Sequence, residues 1–151
     1  MPLPNAALVM VTDGRKMLFL RNDGDEAHLN LQVEKHRERD DASDRDLSTD
    51  APGSVFQSGT TGRSAYEETD FHQLEEDRWA HEAADRLNKR ALSNDFDKLV
   101  VIAPPKTLGE LRKKLHKETE KRIVVEIDKE MTNQPIQEIE KLVASELGAN
   151  A

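Results

Sequence analysis

The chain has 151 residues, which suits one domain and leaves little room for two. Apolar residues are 36% of it and charged residues 34%, so a lean core must sit inside a heavily charged surface. A formal net charge of −8 repels nucleic acid and anionic membranes at long range, leaving RNA binding to a local basic patch. The absence of cysteine removes disulfides, thiolate metal sites, iron–sulfur clusters and thiol catalysis.

Residues 6–12 form a short apolar run, β-branched in its second half, that predicts a buried strand. The run is too short for a signal-peptide core or a membrane span, and no basic segment precedes it. The expectation is a cytoplasmic protein without membrane attachment. Asp13 and Gly14 then predict a two-residue type I′ hairpin turn, which needs φ > 0 at both positions. Residues 16–21 read as a second strand, and residues 22–25 as another turn. Residues 27–34 alternate, with Leu29, Leu31 and Val33 on one face, and predict a third antiparallel strand.

Periodicity stops from 35 to 68. A structureless stretch of this length inside a compact domain is either functional or unstructured. Residues 70–92 read as a long helix, with Ala80, Ala83, Ala84, Leu87 and Ala91 on one face, joined by Phe71 and Trp79. Residues 98–103 are nearly all apolar and predict a strand buried on both faces, in a parallel position. Pro104 and Pro105 stop it. Thr107 and Glu110 match a capping box that would start a second helix, running to about Lys117. Residues 122–128 read as the last strand. Pro135 is placed early in a third helix, where Ile136, Ile139, Leu142, Val143 and Leu147 make an amphipathic stripe closed by Gly148.

The predicted order is β-β-β-α-β-α-β-α in a single α/β domain over residues 1–151, with a long loop at 35–68. Right-handed crossovers place the later strands beside the first. The sheet is then a mixed five-stranded one of order 3-2-1-4-5, strand 2 antiparallel, with three helices. This is the ribonuclease H-like arrangement.

That arrangement raises a two-metal nuclease, which clusters carboxylates at strand ends. Asp13 ends the first strand and Glu75 or Glu76 lies on the first helix, but the fourth strand ends in Ala103, Pro104 and Pro105, and the turn alone accounts for Asp13. His72 with Glu76 and Asp77 with His81 have i, i+4 spacing for two metal ligands, although so charged a helix surface produces such pairs by chance. The loop hydroxyls of Ser54, Ser58, Thr60, Thr61 and Ser64, with His36 and His72 at its two ends, could serve a nucleophile; no Gly-x-Ser-x-Gly elbow supports it. Arg112, Lys113, Lys114, Lys117, Lys121 and Arg122 form a basic run with His116, diluted by Glu118 and Glu120. It reads either as a solvated helix face or as a phosphate-contacting patch. Gly59, Gly62 and the neighbouring hydroxyls could form an anion nest, to which Arg63 would add a guanidinium.

The runs Thr12-Asp13-Gly14-Arg15, 46–50, Pro52-Gly53-Ser54, Phe56-Gln57-Ser58, Gly62-Arg63, 97–105, 108–112 and 126–132 together resemble the bacterial family named "protein required for attachment to host cells". The resemblance covers about residues 6–147, and its most specific part is the Pro-Gly loop combined with Ala-Pro-Pro and Leu-Gly-x-Leu-Arg. It implies a cytoplasmic factor acting on attachment indirectly. That family is similar in fold to the middle domain of class 1 release factors of eukaryotes and archaea. In that domain a Gly-Gly-Gln loop between the third strand and the first helix promotes peptidyl-tRNA hydrolysis. Residues 59–65 resemble the Gly-Gly-Gln-Ser-Ala pattern, with Thr61 for the first glycine and Arg63 for the glutamine; Gln57 is nearby but out of register. Arginine cannot act there as a neutral amide and is better suited to hold phosphate.

The resemblance therefore implies a release-factor-like domain that binds ribosome or tRNA without efficient hydrolysis, needs no cofactor or metal, and has no assigned catalytic residue. The expected nucleic-acid contacts are Gly59, Gly62, Arg63, Ser64, Arg112, Lys113, Lys114, Lys117 and Arg122, with Asp46, Asp50, Pro52 and Gly53 in the same loop. Two alternatives stay open. One is a protein-binding regulatory module that uses the acidic segment 38–50; the other is a small hydrolase acting through 54–64.

Overall fold

The computed structural model describes residues 3–38 and 64–149. Five strands, β1 (Leu8–Thr12), β2 (Lys16–Asn22), β3 (Leu31–Glu38), β4 (Leu99–Ala103) and β5 (Ile123–Asp128), form one sheet of order β3-β2-β1-β4-β5. β2 runs antiparallel to β1 and β3, while β1, β4 and β5 are parallel. The predicted strand order and directions are those observed. Every residue of β1 and β4 is buried, as expected for central strands covered on both faces.

The helices are α1 (Ser64–Leu92), α2 (Pro105–Lys114), α3 (Lys117–Glu120) and α4 (Ile136–Ala149). There are four among the described residues, not the predicted three. The second predicted helix is broken at Leu115, whose extended backbone (ψ 134°) ends α2; His116 then caps α3 by accepting the Glu118 N–H at Nδ1. α2 also starts two residues earlier than the predicted capping box. Pro105 opens it, because a proline at the first helical position already has helical φ and loses no needed N–H. Pro135 precedes α4, its carbonyl accepting from the Glu138 and Ile139 amides, and Gly148 lies within the helix rather than closing it.

One sheet face is covered by α1 and α2. Leu8, Met10, Met17, Phe19, Leu99 and Val101 meet Trp79, Ala80, Ala83, Ala84, Leu87, Ala91, Leu108 and Leu111 there. The four small alanines let α1 lie close to the strands. The opposite face is covered by α4 through Ile139, Val143 and Leu147, against Val9, Val11, Leu20, Val100, Ile102 and Ile127. Asn94, with φ 60°, closes α1 in the left-handed conformation as the Asp95 amide donates back to the Arg90 carbonyl.

Two turns differ from expectation. No glycine among the described residues has positive φ, so Asp13 and Gly14 do not make a type I′ turn. The Asp13 carboxylate shapes the turn instead, accepting the Arg15 and Lys16 amides at Oδ1, both at 2.7 Å. Gly14 is needed for room, since a Cβ there would stand 2.7 Å from Glu76 Cγ on α1.

β3 begins at Leu31, not at 27. The Asn22 side chain holds residues 22–30 as a connection by accepting the Gly24 and Asn30 amides, and Asp25 accepts those of Ala27 and His28. A Cβ on Gly24 would sit 2.2 Å from the His28 carbonyl oxygen and 2.9 Å from the Asn30 nitrogen. Backbone cannot swing aside as a side chain can. Gly24→Ala is therefore expected to destabilise the fold by about 1–3 kcal/mol. Urea unfolding followed by the fluorescence of Trp79, the single tryptophan, reads that loss directly.

Candidate functional site

The parallel strands β1, β4 and β5 all end on the same edge of the sheet, where ligands of open α/β folds gather. α1 enters from that edge and runs back along the sheet. Its contact with the sheet edge is at Glu76, above Gly14, and its fully buried residues start at Trp79. Ser64 lies twelve residues before Glu76, about 18 Å at 1.5 Å per residue. The first turn of α1 therefore stands well past the sheet. Phe71 and Leu74 are exposed there, at 42% and 47%. The sequence pattern joins Phe71 to the apolar face; the side chain is exposed instead. The same pattern starts the helix at 70, whereas α1 begins at Ser64.

The edge itself is built for rigidity. Asp13 Oδ2 accepts from Thr132 Oγ1 at 2.6 Å, Lys16 Nζ donates to Asn133 Oδ1 at 2.7 Å, and Lys106 donates to Gln73 at 3.3 Å. Together these tie the β1–β2 turn to residues 132–133, and α2 to α1. Asp13 thus serves three internal hydrogen bonds. Among the described residues no group of three or more His, Asp or Glu side chains is arranged to hold a metal ion. Of the two helical pairs considered as ligands, Asp77 and His81 face other partners: Asp77 accepts from Gln73, and His81 meets Glu110 at 3.0 Å. Lys113, and after it His81, hold the Glu110 carboxyl below its ordinary value.

Of the expected nucleic-acid contacts, Gly59, Gly62 and Arg63 lie outside the described residues, as do Asp46, Asp50, Pro52 and Gly53. Ser64 is the first residue of α1. The basic residues sit elsewhere. Arg112, Lys113 and Lys114 form the last turn of α2, Lys117 opens α3, and Arg122 precedes β5. Ser64 and the basic residues are not together. The 114–119 turn packs on Asn88 of α1, 24 residues from Ser64, which is about 36 Å along the helix.

The basic residues also differ in what holds them. Arg112 pairs with Glu126 at 2.9 Å, Lys113 with Glu110 at 2.7 Å and Lys121 with Glu118 at 3.0 Å. Arg122 is the most withdrawn, its side chain 15% exposed. Its guanidinium donates to the carbonyls of Glu118 and Phe96 and to Asn94 Oδ1, and lies over the Phe96 ring. Arg122 therefore clamps the end of α1 to the start of β5. Lys114 and Lys117 are exposed and have no side-chain partner among the described residues.

Asn88 was missed from sequence. Its one signal is a polar residue at the border of the α1 apolar stripe, between Ala84 and Ala91. Asn88 Oδ1 accepts the His116 amide at 2.8 Å and Thr119 Oγ1 at 2.7 Å, and Nδ2 donates to the Lys114 carbonyl at 2.8 Å.

A mixed 3-2-1-4-5 sheet crossed by a long helix between its third and fourth strands in chain order is the architecture expected of a release-factor middle domain. The chain belongs to bacterial archaeo-eukaryotic release factor family 12, whose family model matches residues 6–143. Comparison with curated proteins gives no match. The attachment role stays an implication of the sequence resemblance. No helix among the described residues is long and apolar enough to cross a membrane.

Proposed function

We propose that this release-factor-like domain binds ribosome or tRNA through residues 59–64 at the head of α1 and through the basic surface of α2 and α3, without efficient hydrolysis. The observation that carries the reading is α1 itself. It is a 29-residue helix that begins at Ser64, directly after the Gly62-Arg63 pair, and reaches past the sheet edge. Arg63 stands where the resemblance would put a glutamine. A guanidinium is always charged and has only donors, so it neutralises phosphate but cannot act as a neutral amide toward an attacking water. The domain would then hold RNA as a release factor does and leave the ester intact. This reading implies a cytoplasmic location, with attachment to host cells affected only indirectly.

Two assays on the purified chain test it. Binding to a tRNA mixture is expected to weaken linearly on a log–log salt scale and to weaken further in Arg63→Ala. Peptidyl-tRNA is expected to hydrolyse at its uncatalysed rate. Salt-insensitive or undetectable binding overturns the reading, and turnover that survives changes at Arg63 and Ser64 overturns the stated site.

A protein-binding role has one observation in its favour. Phe71 and Leu74 are spaced i, i+3 on the outward side of α1, as anchors for a partner groove would be. If that role holds, a Phe71→Ala/Leu74→Ala double variant loses a partner captured by the native chain and keeps its tRNA affinity.

A further inference from the structure

The basic run at the far end of α1 is not uniform, and its differences name the atoms that meet phosphate. Four of its cations already have anionic or carbonyl partners: Arg112 on Glu126, Lys113 on Glu110, Lys121 on Glu118, and Arg122 on Glu118, Asn94 and Phe96. A phosphate reaching these must displace a partner first, and each displaced carboxylate would then repel it. Lys114 and Lys117 carry no such cost. They flank the break at Leu115, on a turn where the chain changes direction between α2 and α3.

One side chain of α1 bonds that turn at three points. Asn88 bonds the Lys114 carbonyl, the His116 amide and the Thr119 hydroxyl, three groups spread over six residues. Thr119 is itself buried, and His116 closes the turn from within by accepting the Glu118 amide. Leu115, packed against the core, and the buried Thr119 anchor the turn from below, and Asn88 fixes its backbone between them. Fixing it does give the two lysines a set separation, and a pre-set pair of cations loses less conformational entropy on binding a rigid polyanion.

Resting on the RNA-binding reading, we propose that Lys114 and Lys117 are the phosphate contacts of this surface and that Asn88 is the positioning residue that sets them. Arg112, Lys113 and Arg122 are mainly structural. The ligand is the sugar–phosphate backbone of a folded RNA. A protein partner with an acidic face would need no fixed spacing.

The test measures affinity for a tRNA mixture as a function of salt, with heparin as an unstructured polyanion for comparison. Lys114→Gln/Lys117→Gln is expected to lower the magnitude of the log–log slope by about 1.4–1.8, the value for two phosphate contacts. Arg112→Gln/Lys113→Gln should lower it by less than half as much. Asn88→Ala keeps every charge, so its slope should match the native chain while its dissociation constant for tRNA rises several-fold and that for heparin changes little. Amide exchange at residues 115–120 should accelerate in the same variant, a readout independent of RNA. Native-like tRNA binding by the Lys114/Lys117 variant overturns this proposal and leaves the RNA reading standing. Absence of tRNA binding by the native chain removes both. Unchanged exchange in Asn88→Ala shows that Asn88 does not set the turn.

Discussion

Leu87→Ala is expected to destabilise the domain by about 2–5 kcal/mol, a large part of the total stability of a domain this size. Leu87 is fully buried between the alanines of α1 and the strands. Its neighbours Ala83, Ala84 and Ala91 are too small to collapse into the space it would leave, so the cavity persists and adds to the lost transfer energy. The functional consequence is larger than the number suggests. α1 carries Ser64 at one end and, through Asn88 near the other, holds the turn that bears Lys114 and Lys117. Urea unfolding by Trp79 fluorescence should show a lower midpoint with little change in slope. A loss under 1 kcal/mol would mean that α1 is seated mainly by its polar edge contacts.

The second large effect concerns the charges that tie α1 to the strands at its far end. Arg21 of β2 and Arg90 of α1 share Glu34 of β3 and Asp95, with Arg21 on Glu34 at 2.8 Å and on Asp95 at 2.9 Å, and Arg90 on Asp95 at 2.8 Å. Arg90 also lies over the Phe19 ring. Burial works to raise the Glu34 and Asp95 carboxyls, but the hydrogen bonds from the two arginines outweigh it and hold both below their ordinary values of 4.5 and 3.8.

A depressed carboxyl contributes stability that is complete above its unfolded value and is lost as pH falls through its folded one. The contribution of this network should therefore be constant above about pH 5, start to fall below the ordinary values of 4.5 and 3.8, and be lost as pH drops through the lower folded values of the two carboxyls. Arg90→Ala is expected to cost on the order of 2 kcal/mol at neutral pH, since it removes charged hydrogen bonds from two partners at once. Glu34→Gln should differ from the native chain at pH 7 and converge on it as pH falls through the lowered folded value of the Glu34 carboxyl. Parallel stability curves down to low pH would show that the network carries no pH dependence.

The sheet could be read from sequence because its signals agreed with one another. Residues 99–103 are continuously apolar, α4 has a clean stripe, and right-handed crossovers leave few places for β4 and β5. The departures share a cause, a tertiary contact that no local pattern announces. Residues 35–38 look like loop, yet they extend β3, because Arg37 pairs with Glu82 at 2.8 Å and covers the Trp79 ring. Residues 64–69 show no helical period because α1 there stands clear of the sheet. Gly14 suggests a turn conformation and is in fact a clearance for Glu76.

For the site, the sequence named the basic residues but could not rank them. That ranking depends on which cation meets Glu110, Glu118, Glu126 or Asn88, residues of four different elements. Arg122 shows the point most sharply: by composition it belongs to the patch, and in the fold it is a clamp.

Co-sedimentation with ribosomes across a salt series tests the central claim most directly. The account predicts that the native chain pellets with ribosomes at about 50 mM salt and is released by about 200 mM, as expected for binding that displaces counterions. It further predicts that a Lys114→Gln/Lys117→Gln variant carrying Arg63→Ala stays in the supernatant throughout. A native chain that never pellets, or one that pellets equally at every salt concentration and with that variant, would contradict it.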